Sequence, residues 1–367
     1  MALLKDYFTA RAIGIAWNNY QASLGEPPYL GRSKFGTQKQ DGLDIAFIKG
    51  KNSLPVSLKA SAFDAQAELR DAIGFTTVAN EMPFFRESYM VTEKEEQDWA
   101  SAISSNADKA NQILAQIMKK PLDLIRGARV VPERMIWQLL APTDGVPKIN
   151  VAIDGTNYTI DYMTSADATT FKQTNFVEIK GDSQWKNSAT ATPLADLIKI
   201  KKDFAKTTGY RLSRFSMNTE TWEEVLNAED TKKQVLGILA YQNGIRMNDE
   251  DVVRYLAGKG IEIEVYDKIY VDENGTSQYF IPTGYVSAQS AGVYLGDVMF
   301  GTTPEERSGD MGTGSLALVD TGITVYTYGT NHPINTHCVA SEIVLPTYQG
   351  MDSVVCISVD AGASPSA

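Results

Sequence analysis

Two short runs of alternating apolar residues constrain what this chain can fold into more than any other feature. The apolar positions are Leu43, Ile45 and Phe47 in the first run and Leu54, Val56 and Leu58 in the second. Each set would lie on one face of a strand, and the polar segment 49–53 between them contains Gly50, so the pair predicts a β-hairpin. An isolated two-stranded hairpin is at best marginally stable in water. Its apolar face must therefore lie against the rest of the chain or against another molecule.

A long helix is predicted farther along the chain. Apolar residues recur at the spacing of one helix face at Ala110, Ile113, Leu114, Ile117 and Met118. We predict a helix over 106–140, with Pro121 and Pro132 as kinks or breaks. Thr92 and Glu95 form a capping box, which predicts the start of a preceding helix.

Turn and cap signals divide the remaining sequence into further elements. Asp154-Gly155 and Asn274-Gly275 predict two hairpin turns. Thr192-Pro193 predicts the start of a helix, and Gly258 predicts the end of another. Two more strands are predicted within 343–359. Because helices and antiparallel hairpins occur in blocks rather than in strict βαβ alternation, the predicted fold class is α+β.

The N-terminal segment carries the weakest pattern. Residues 1–33 contain Pro27, Pro28 and Gly31, which interrupt regular elements. We interpret this segment as an arm that lies on another surface.

Charge and hydropathy exclude several classes of protein. The 367-residue chain has a formal net charge of −11, which argues against a protein that grips nucleic acid through its phosphates. No apolar run approaches the ~20 residues needed to span a bilayer, and the N-terminus lacks the pattern of a secretory signal. We therefore expect a protein made in a cytoplasm and not bound to membrane. Cys338 and Cys356 are interpreted as buried free thiols, with a disulfide or metal pair as the minor alternative.

No motif in the sequence points to catalysis. His332 and His337 have no recognisable nucleophile motif nearby, and the glycine-rich segment 309–314 lacks the lysine and following helix of a phosphate-binding loop. The acidic run 249–251 has a sufficient explanation in the dipole of the helix that it begins. We therefore predict a structural protein rather than an enzyme, with no catalytic, cofactor-binding or metal-binding residues.

The segment 84–87 closes the region of the predicted hairpin and has two interpretations. Phe84, Phe85, Arg86 and Glu87 can form an intersubunit contact at the base of the hairpin. Alternatively, the two phenylalanines belong to an ordinary core, and Arg86 and Glu87 are a surface ion pair of small energetic value. The first interpretation, together with the six alternating residues of the hairpin, defines the predicted assembly residues.

Several short motifs, in their order and spacing, resemble one known family. In the N-terminal third they are Gly42-Leu43-Asp44-Ile45, Ile48-Lys49-Gly50, Leu54-Pro55-Val56-Ser57, Ala62-Phe63-Asp64, Leu69-Arg70-Asp71, Gly74 and Met82-Pro83-Phe84-Phe85-Arg86-Glu87. The likeness resumes at Val265-Tyr266, Asn274-Gly275, Phe280-Ile281-Pro282, Gly301 and the run from Leu345-Pro346 to Val359. Together they are similar to the lambda-type major capsid proteins of tailed bacteriophages, the capsid protein E family.

The resemblance implies a domain plan. It comprises an N-terminal arm over 1–33, an extended hairpin loop over 34–78, a peripheral domain and an axial domain. The peripheral domain would contain the long spine helix and consist of residues 79–190 and 336–367, and the axial domain would consist of residues 191–335. On this plan the apolar face of the hairpin contacts an adjacent subunit.

The resemblance also implies a function and partners. Many copies would form pentamers and hexamers of an icosahedral shell that encloses double-stranded DNA without sequence specificity, and the shell would change conformation as it matures. Other expected partners are a portal, a separate scaffolding protein and, optionally, a decoration protein. Because the hairpin begins only about forty residues from Met1, we expect no fused scaffolding segment and little cleavage of the chain. The alternatives are an encapsulin-type nanocompartment shell protein and an unrecognised α+β hydrolase or binding protein.

Overall fold

The computed structural model describes residues 8–24, 28–50, 75–105, 107–153, 156–308 and 314–360. The chain divides into two compact units. Unit 1 comprises residues 1–45, 79–134 and 297–347, and unit 2 comprises residues 46–78, 135–296 and 348–367. No helix among the described residues has both the length and the apolarity needed to cross a bilayer.

Unit 1 combines helices with one large sheet. Its helices are α1 (Ala10–Leu24), α2 (Leu30–Lys34), α3 (Glu93–Ser105), the greater part of α4 (Ala107–Leu140) and α11 (Pro304–Ser308). Its sheet strands are β1 (Gly36–Gln40), β4 (Phe84–Val91), β13 (Asp297–Gly301), β14 (Ser315–Asp320), β15 (Ile323–Asn331) and β16 (Ile334–Pro346). The paired strands β2 (Asp44–Gly50) and β3 (Phe75–Glu81) include residues of both units.

The sheet of unit 1 is organised around β16. The strand order is β1–β13–β16–β15–β14, and β4 also pairs with β16. One edge of β16 binds β13 near Pro346 and then β4 over 336–343, while the other edge binds β15. All these pairs are antiparallel except β1 with β13, which is parallel. Because the partners of β16 lie far apart in the chain, local patterns do not predict this pairing.

Helix α1 lies within the segment 1–33, which the sequence pattern predicts to be an arm on another surface. Ala10, Ile13 and Trp17 recur on one helix face and are buried in the core of unit 1. The amide of Ala10 donates to Ser315 Oγ at 2.8 Å and Thr327 Oγ1 at 3.1 Å, which fixes the helix start on the sheet. The N-terminal segment therefore packs on its own chain. The sequence pattern missed it because Gly14, Asn18 and Asn19 dilute the apolar stripe.

The helix predicted to start after Thr92 and the long helix predicted over 106–140 are both confirmed, as α3 and α4. The side chain of Glu95 accepts from the amide of Thr92 at 2.9 Å, and the amide of Glu95 reaches Thr92 Oγ1 at 3.4 Å. These contacts are the predicted capping box at the start of α3. Helix α4 runs from Ala107 to Leu140 with Pro121 and Pro132 inside it, so neither proline ends it. This helix is the predicted spine.

Unit 2 contains a second sheet and most of the remaining helices. The helices are α5 (Ser165–Asn175), α6 (Pro193–Thr208), α7 (Thr219–Asn227), α8 (Glu229–Leu236), α9 (Ile238–Gln242) and α10 (Asp249–Ala257). The strands are β5 (Lys148–Ile153), β6 (Thr156–Asp161), β7 (Phe176–Glu178), β8 (Leu212–Met217), β9 (Glu262–Val265), β10 (Ile269–Val271), β11 (Ser277–Tyr279), β12 (Tyr285–Ser290) and β17 (Val354–Ser358). Short 3₁₀ turns occupy Gly181–Ser183 and Met351–Ser353.

The five-stranded sheet of unit 2 has the order β7–β17–β12–β8–β9. Its core contains Leu194 and Leu197 from α6, Phe215 from β8 and Ile357 from β17. The predicted hairpins β5–β6 and β10–β11 are confirmed as antiparallel pairs, although residues 154–155 of the first turn lie outside the described residues. The predicted helix starting at Thr192-Pro193 and the helix ending at Gly258 are also observed.

The compact units divide the chain at 45/46, 78/79, 134/135, 296/297 and 347/348. The predicted domain plan divides it at 33/34, 78/79, 190/191 and 335/336, so the two share only the boundary at 78/79. The difference follows from long-range pairing. Strand β17 joins the sheet of unit 2 through β7 and β12, while β14 and β15 join the sheet of unit 1 through β16. The sequence contains no local signal for these partners.

Candidate assembly surface

Strand β4 is an edge strand that exposes one row of side chains. One edge of β4 pairs with β16, and no other described strand pairs with it. Phe84, Arg86, Ser88 and Met90 alternate along one face and are all exposed, with Phe84 and Met90 each 38% exposed. An edge strand with exposed apolar side chains is suited to contact another chain. We call these four residues the β4 row.

The surface continues from the β4 row onto its neighbours in the sheet. Met90 lies opposite His337, which lies opposite Tyr328. The rings of Tyr328 and His337 stack at a centroid distance of 4.9 Å, and Tyr326 stacks on Tyr328 at 5.6 Å. All three rings are half-buried. The face therefore presents a partly exposed aromatic strip beside the β4 row.

Arg86 has two partners within its own chain. Its Nη2 lies 2.6 Å from Glu305 Oε1, and its guanidinium lies 4.5 Å from the ring centre of Phe84. The other oxygen of Glu305 accepts a hydrogen bond from Ser341 Oγ at 2.9 Å. Arg86 and Glu87 point to opposite faces of the strand, so the alternative of a local Arg86–Glu87 pair is wrong.

A second set of polar contacts fixes the chain just before β2. Lys39 Nζ lies 2.5 Å from Glu306 Oε1, and Arg307 Nη2 donates to the carbonyl of Asp41 at 2.8 Å. The hydroxyl of Thr302 donates to Asp41 Oδ1 at 2.8 Å. Helix α11 and the residues before it thus hold both Arg86 and the base of the β2–β3 ribbon. No local sequence pattern indicated the role of α11, because its contacts join distant parts of the chain.

The first predicted apolar run divides between exposed and buried positions. Leu43 is 43% exposed, whereas Ile45 and Phe47 are 4% and 5% exposed. The ring of Phe47 lies 6.0 Å from that of Tyr162. Ile45 and Phe47 are therefore already packed within a single chain.

The second predicted apolar run falls in a part of the chain that the structure does not describe. Leu54, Val56 and Leu58 lie outside the described residues. Among the described residues, the partner of β2 is β3 (Phe75–Glu81).

Phe85 and Glu87 lie on the opposite face of β4 from the β4 row. Phe85 is half-buried and Glu87 is exposed. The interpretation of both phenylalanines as ordinary core is wrong for Phe84, because its side chain is 38% exposed although Ile343 opposite it is buried.

Phe85 lies opposite a buried carboxyl group that the sequence did not single out. Glu342 is 1% exposed, and neither of its oxygens has a hydrogen-bond partner among the described residues. Burial raises the pKa of Glu342 well above its ordinary value; the positive charge of Arg32 opposes this shift and the negative charge of Asp320 adds to it. The sequence signal that could have identified it is an acid directly before the apolar run Ile343-Val344-Leu345.

The described residues hold no cluster of three or more His, Cys, Asp or Glu side chains that could bind a metal ion. Cys338 and Cys356 are free and buried, as predicted. Burial raises the pKa of the Cys338 thiol to about 12 and also raises that of Cys356, so both thiols stay protonated and unreactive near neutral pH. Asp249, Glu250 and Asp251 occupy the first turn of α10, where Asp251 completes a capping box with Asn248. The helix-start interpretation of this acidic run is therefore confirmed.

Comparison with known proteins agrees with the resemblance. The model of the family described as phage major capsid protein E matches residues 9–319. No curated protein matches the sequence significantly.

Solved structures share the fold at low sequence identity. A putative prophage capsid protein of Escherichia coli CFT073 has a TM-score of 0.53 and 12% identity, with 96% of this chain and 99% of that chain covered. A phage-related protein of Bordetella bronchiseptica RB50 has a TM-score of 0.50 and 11% identity, with 96% and 98% covered. The SrpI encapsulin of Synechococcus elongatus PCC 7942 has 10% identity, with 93% and 90% covered, and its TM-score of 0.41 is too low to bear on function. The family match spans most of the chain, and the chain therefore belongs to the phage major capsid protein E family.

Proposed function

We propose that copies of this chain form the pentamers and hexamers of an icosahedral shell, and that the β4 row and the β2–β3 ribbon contact a neighbouring copy. The observation that carries this proposal is the exposed apolar row on an edge strand. Phe84 and Met90 are each 38% exposed on a strand whose second edge has no described partner. Membership of a capsid family identifies the contacting molecule as another copy of this chain, because a shell of this kind is a homo-oligomer.

The contact is divided between a fixed base and a longer loop. The base consists of Leu43, which is 43% exposed, and the β4 row, which α11 holds through Glu305. Leu54, Val56 and Leu58 lie outside the described residues, and we propose that they pack on the neighbouring copy. Ile45 and Phe47 instead stabilise the chain that contains them, since both are buried.

Within the capsid plan, we assign unit 1 to the peripheral domain and unit 2 to the axial domain. Unit 1 contains α1, most of the spine helix α4 and the sheet with the β4 row. Unit 2 contains the five-stranded sheet and helices α5 to α10. This assignment is supported by the spine helix α4, of which residues 107–134 belong to unit 1.

We further propose that the shell assembles in the host cytoplasm on a separate scaffolding protein, incorporates a portal and encloses double-stranded DNA. A decoration protein is an optional addition. The net charge of −11 supports a wall that holds DNA without adhering to it, because adhesion would require clustered Lys and Arg side chains.

Electron microscopy of the chain, expressed alone and with its genomic neighbours, tests the proposal. We expect closed shells or capsomer rings. A 40.3 kDa monomer that persists under both conditions would contradict it and favour a monomeric binding protein or hydrolase. Closed shells that contain an enzyme cargo instead of DNA would favour the encapsulin alternative.

A further inference from the structure

Unit 2 exposes two apolar patches that its own fold leaves uncovered. The turn patch consists of Ile238, Leu239 and Ile245, which are 64%, 77% and 55% exposed. The ribbon patch lies on the β10–β11 hairpin, not on the β2–β3 ribbon, and consists of Ile269 and Val271, which are 60% and 65% exposed. Large aliphatic side chains clustered in this way mark an interaction surface more often than isolated ones do.

The turn patch is held in shape by its backbone. Helix α9 (Ile238–Gln242) lies between Gly237 and Gly244, whose φ angles of 81° and 73° suit glycine. The amide of Tyr241 donates to Gly237 O at 3.1 Å, and that of Ile245 donates to Ala240 O at 3.2 Å. No described atom outside the adjacent residues lies within 4 Å of a Cβ built on either glycine, so the space around both ends of the turn is open.

The ribbon patch is preformed in a different way. Ile269 pairs with Tyr279 and Val271 pairs with Ser277, so the patch occupies one face of the β10–β11 hairpin. On the other face the ring of Tyr270 packs against that of Phe280 at a centroid distance of 4.9 Å and a tilt of 32°, which anchors the hairpin to unit 2. Asp272 accepts hydrogen bonds from the amides of Asn274 and Thr276 at 3.0 and 2.8 Å and fixes the turn.

The two patches carry opposite charges at their margins. Segment 237–247 contains a single charged residue, Arg246, and has a net charge of +1. Segment 265–279 contains Asp267, Asp272 and Glu273 against Lys268 and has a net charge of −2. Arg246 is exposed and makes no hydrogen bond or ion pair with a described residue. The positive charge of Arg246 beside the turn patch is therefore complementary to the acidic margin of the ribbon patch.

We propose that the turn patch of one copy docks on the ribbon patch of the next copy around each ring of the shell. This inference rests on the proposed function, since it identifies which surfaces join neighbouring copies. A closed ring requires heterologous contacts, in which two different surfaces of one chain meet head to tail. Leu239 and Ile238 pack against Ile269 and Val271, and Arg246 lies near Glu273.

A cysteine-pair experiment tests this contact in assembled particles. The variant with Leu239→Cys and Val271→Cys is assembled and oxidised, and its chains are separated on a non-reducing denaturing gel. We expect a ladder that ends at five and six chains. The native cysteines contribute little background, because Cys338 and Cys356 are 0% and 3% exposed.

Three controls distinguish the head-to-tail contact from accidental crosslinking. Leu239→Cys alone and Val271→Cys alone should give no ladder. Leu318→Cys combined with Val271→Cys should also give none, because Leu318 is equally accessible at 55% exposed but lies in unit 1, outside both patches. Dimers from either single variant would indicate self-contact of that patch and would overturn the proposal.

A charge exchange provides an independent measurement. Arg246→Glu or Glu273→Arg alone should lower the yield of particles about tenfold, and the double exchange should restore it. Particles that assemble without a ladder and do not respond to the exchange overturn this contact but leave the proposed function intact. A wild-type chain that forms no particles overturns both.

Discussion

Arg86 Nη2 lies 2.6 Å from Glu305 Oε1, and this ion pair joins the exposed edge strand β4 to helix α11 of the same unit. The side chain of Glu305 is 12% exposed, whereas that of Arg86 is 47% exposed. Arg86 therefore has one ion-pair partner in its own chain, besides its cation–π contact with Phe84, and about half of its side chain is exposed for contact with another copy. Stability and assembly can be separated experimentally at this residue.

Exchanging the two charges separates these roles. Arg86→Glu alone should destabilise the chain by about 1–2 kcal/mol, because it places two carboxylates together beside Ser341. Adding Glu305→Arg should recover most of this loss, as measured by denaturant unfolding. If Arg86 also contacts a neighbouring copy, the double variant should regain stability without regaining particles. Full recovery of particles would limit Arg86 to its role within the chain.

Replacing Phe84 tests the β4 row directly. Phe84→Ser should reduce the yield of particles strongly while changing the melting temperature by no more than about 4 °C, because the ring is 38% exposed and its loss removes one cation–π contact. Leu318→Ser is the matched control, since Leu318 is an exposed apolar residue of β14 in the same sheet. Normal particles from Phe84→Ser would remove the row from the interface.

The buried carboxyl of Glu342 should make stability fall as pH rises. Burial raises its folded-state pKa well above 4.5, so the folded chain binds more protons than the unfolded chain above that pH. The contribution of Glu342 is fully present below about pH 4.5 and is lost as pH rises toward the folded pKa. Glu342→Leu should therefore stabilise the chain by about 1–3 kcal/mol at pH 7 and by less at pH 4.5.

Denaturant unfolding at the two pH values measures this difference. Glu87→Gln, an exposed acid on the neighbouring strand, is the control and should leave the pH dependence unchanged. A pH profile identical in Glu342→Leu and wild type would contradict the assignment of a protonated Glu342 in the folded chain.

A second carboxyl group in unit 2 should act in the same direction. Burial, reinforced by the neighbouring carboxylate of Asp360, raises the pKa of Glu224 from 4.5 to about 8, while Lys186 opposes the shift and Glu220 adds to it. Stability should therefore fall as pH rises from about 4.5 to about 8, because the folded chain holds the extra proton over this window.

Thermal unfolding between pH 5 and pH 9 checks this prediction. Glu224→Gln should flatten the profile, because the amide cannot ionise. Glu223→Gln, a change at the adjacent exposed residue of the same helix, should leave it as it is in the wild type. A profile in Glu224→Gln as steep as that of the wild type would contradict the assigned shift.

Local sequence signals predicted the local structure well. The capping box of Thr92 and Glu95, the spine helix α4 and the hairpins β5–β6 and β10–β11 are all observed. Each depends on interactions between residues a few positions apart, so the local sequence is sufficient to predict it.

Long-range relationships were not predictable in this way. The sequence missed the packing of α1, the pairing of β14 and β15 with β16, and the contacts of α11 with Arg86 and Lys39. It also placed Ile45 and Phe47 with Leu43 on one assembly face. Alternation groups residues by the face they share, but it does not reveal which of them are covered by their own chain.

The sequence by itself determined the spine helix, the capped helix starts and the hairpins β5–β6 and β10–β11, and its motif order identified the family. Only the tertiary structure decided that Phe84 projects outward while Phe85 faces Glu342. The physical reason is that alternation fixes two faces of a strand but not their surroundings, and these depend on partners far away in the chain. For β4 that partner is β16, and the exposed row follows from their register.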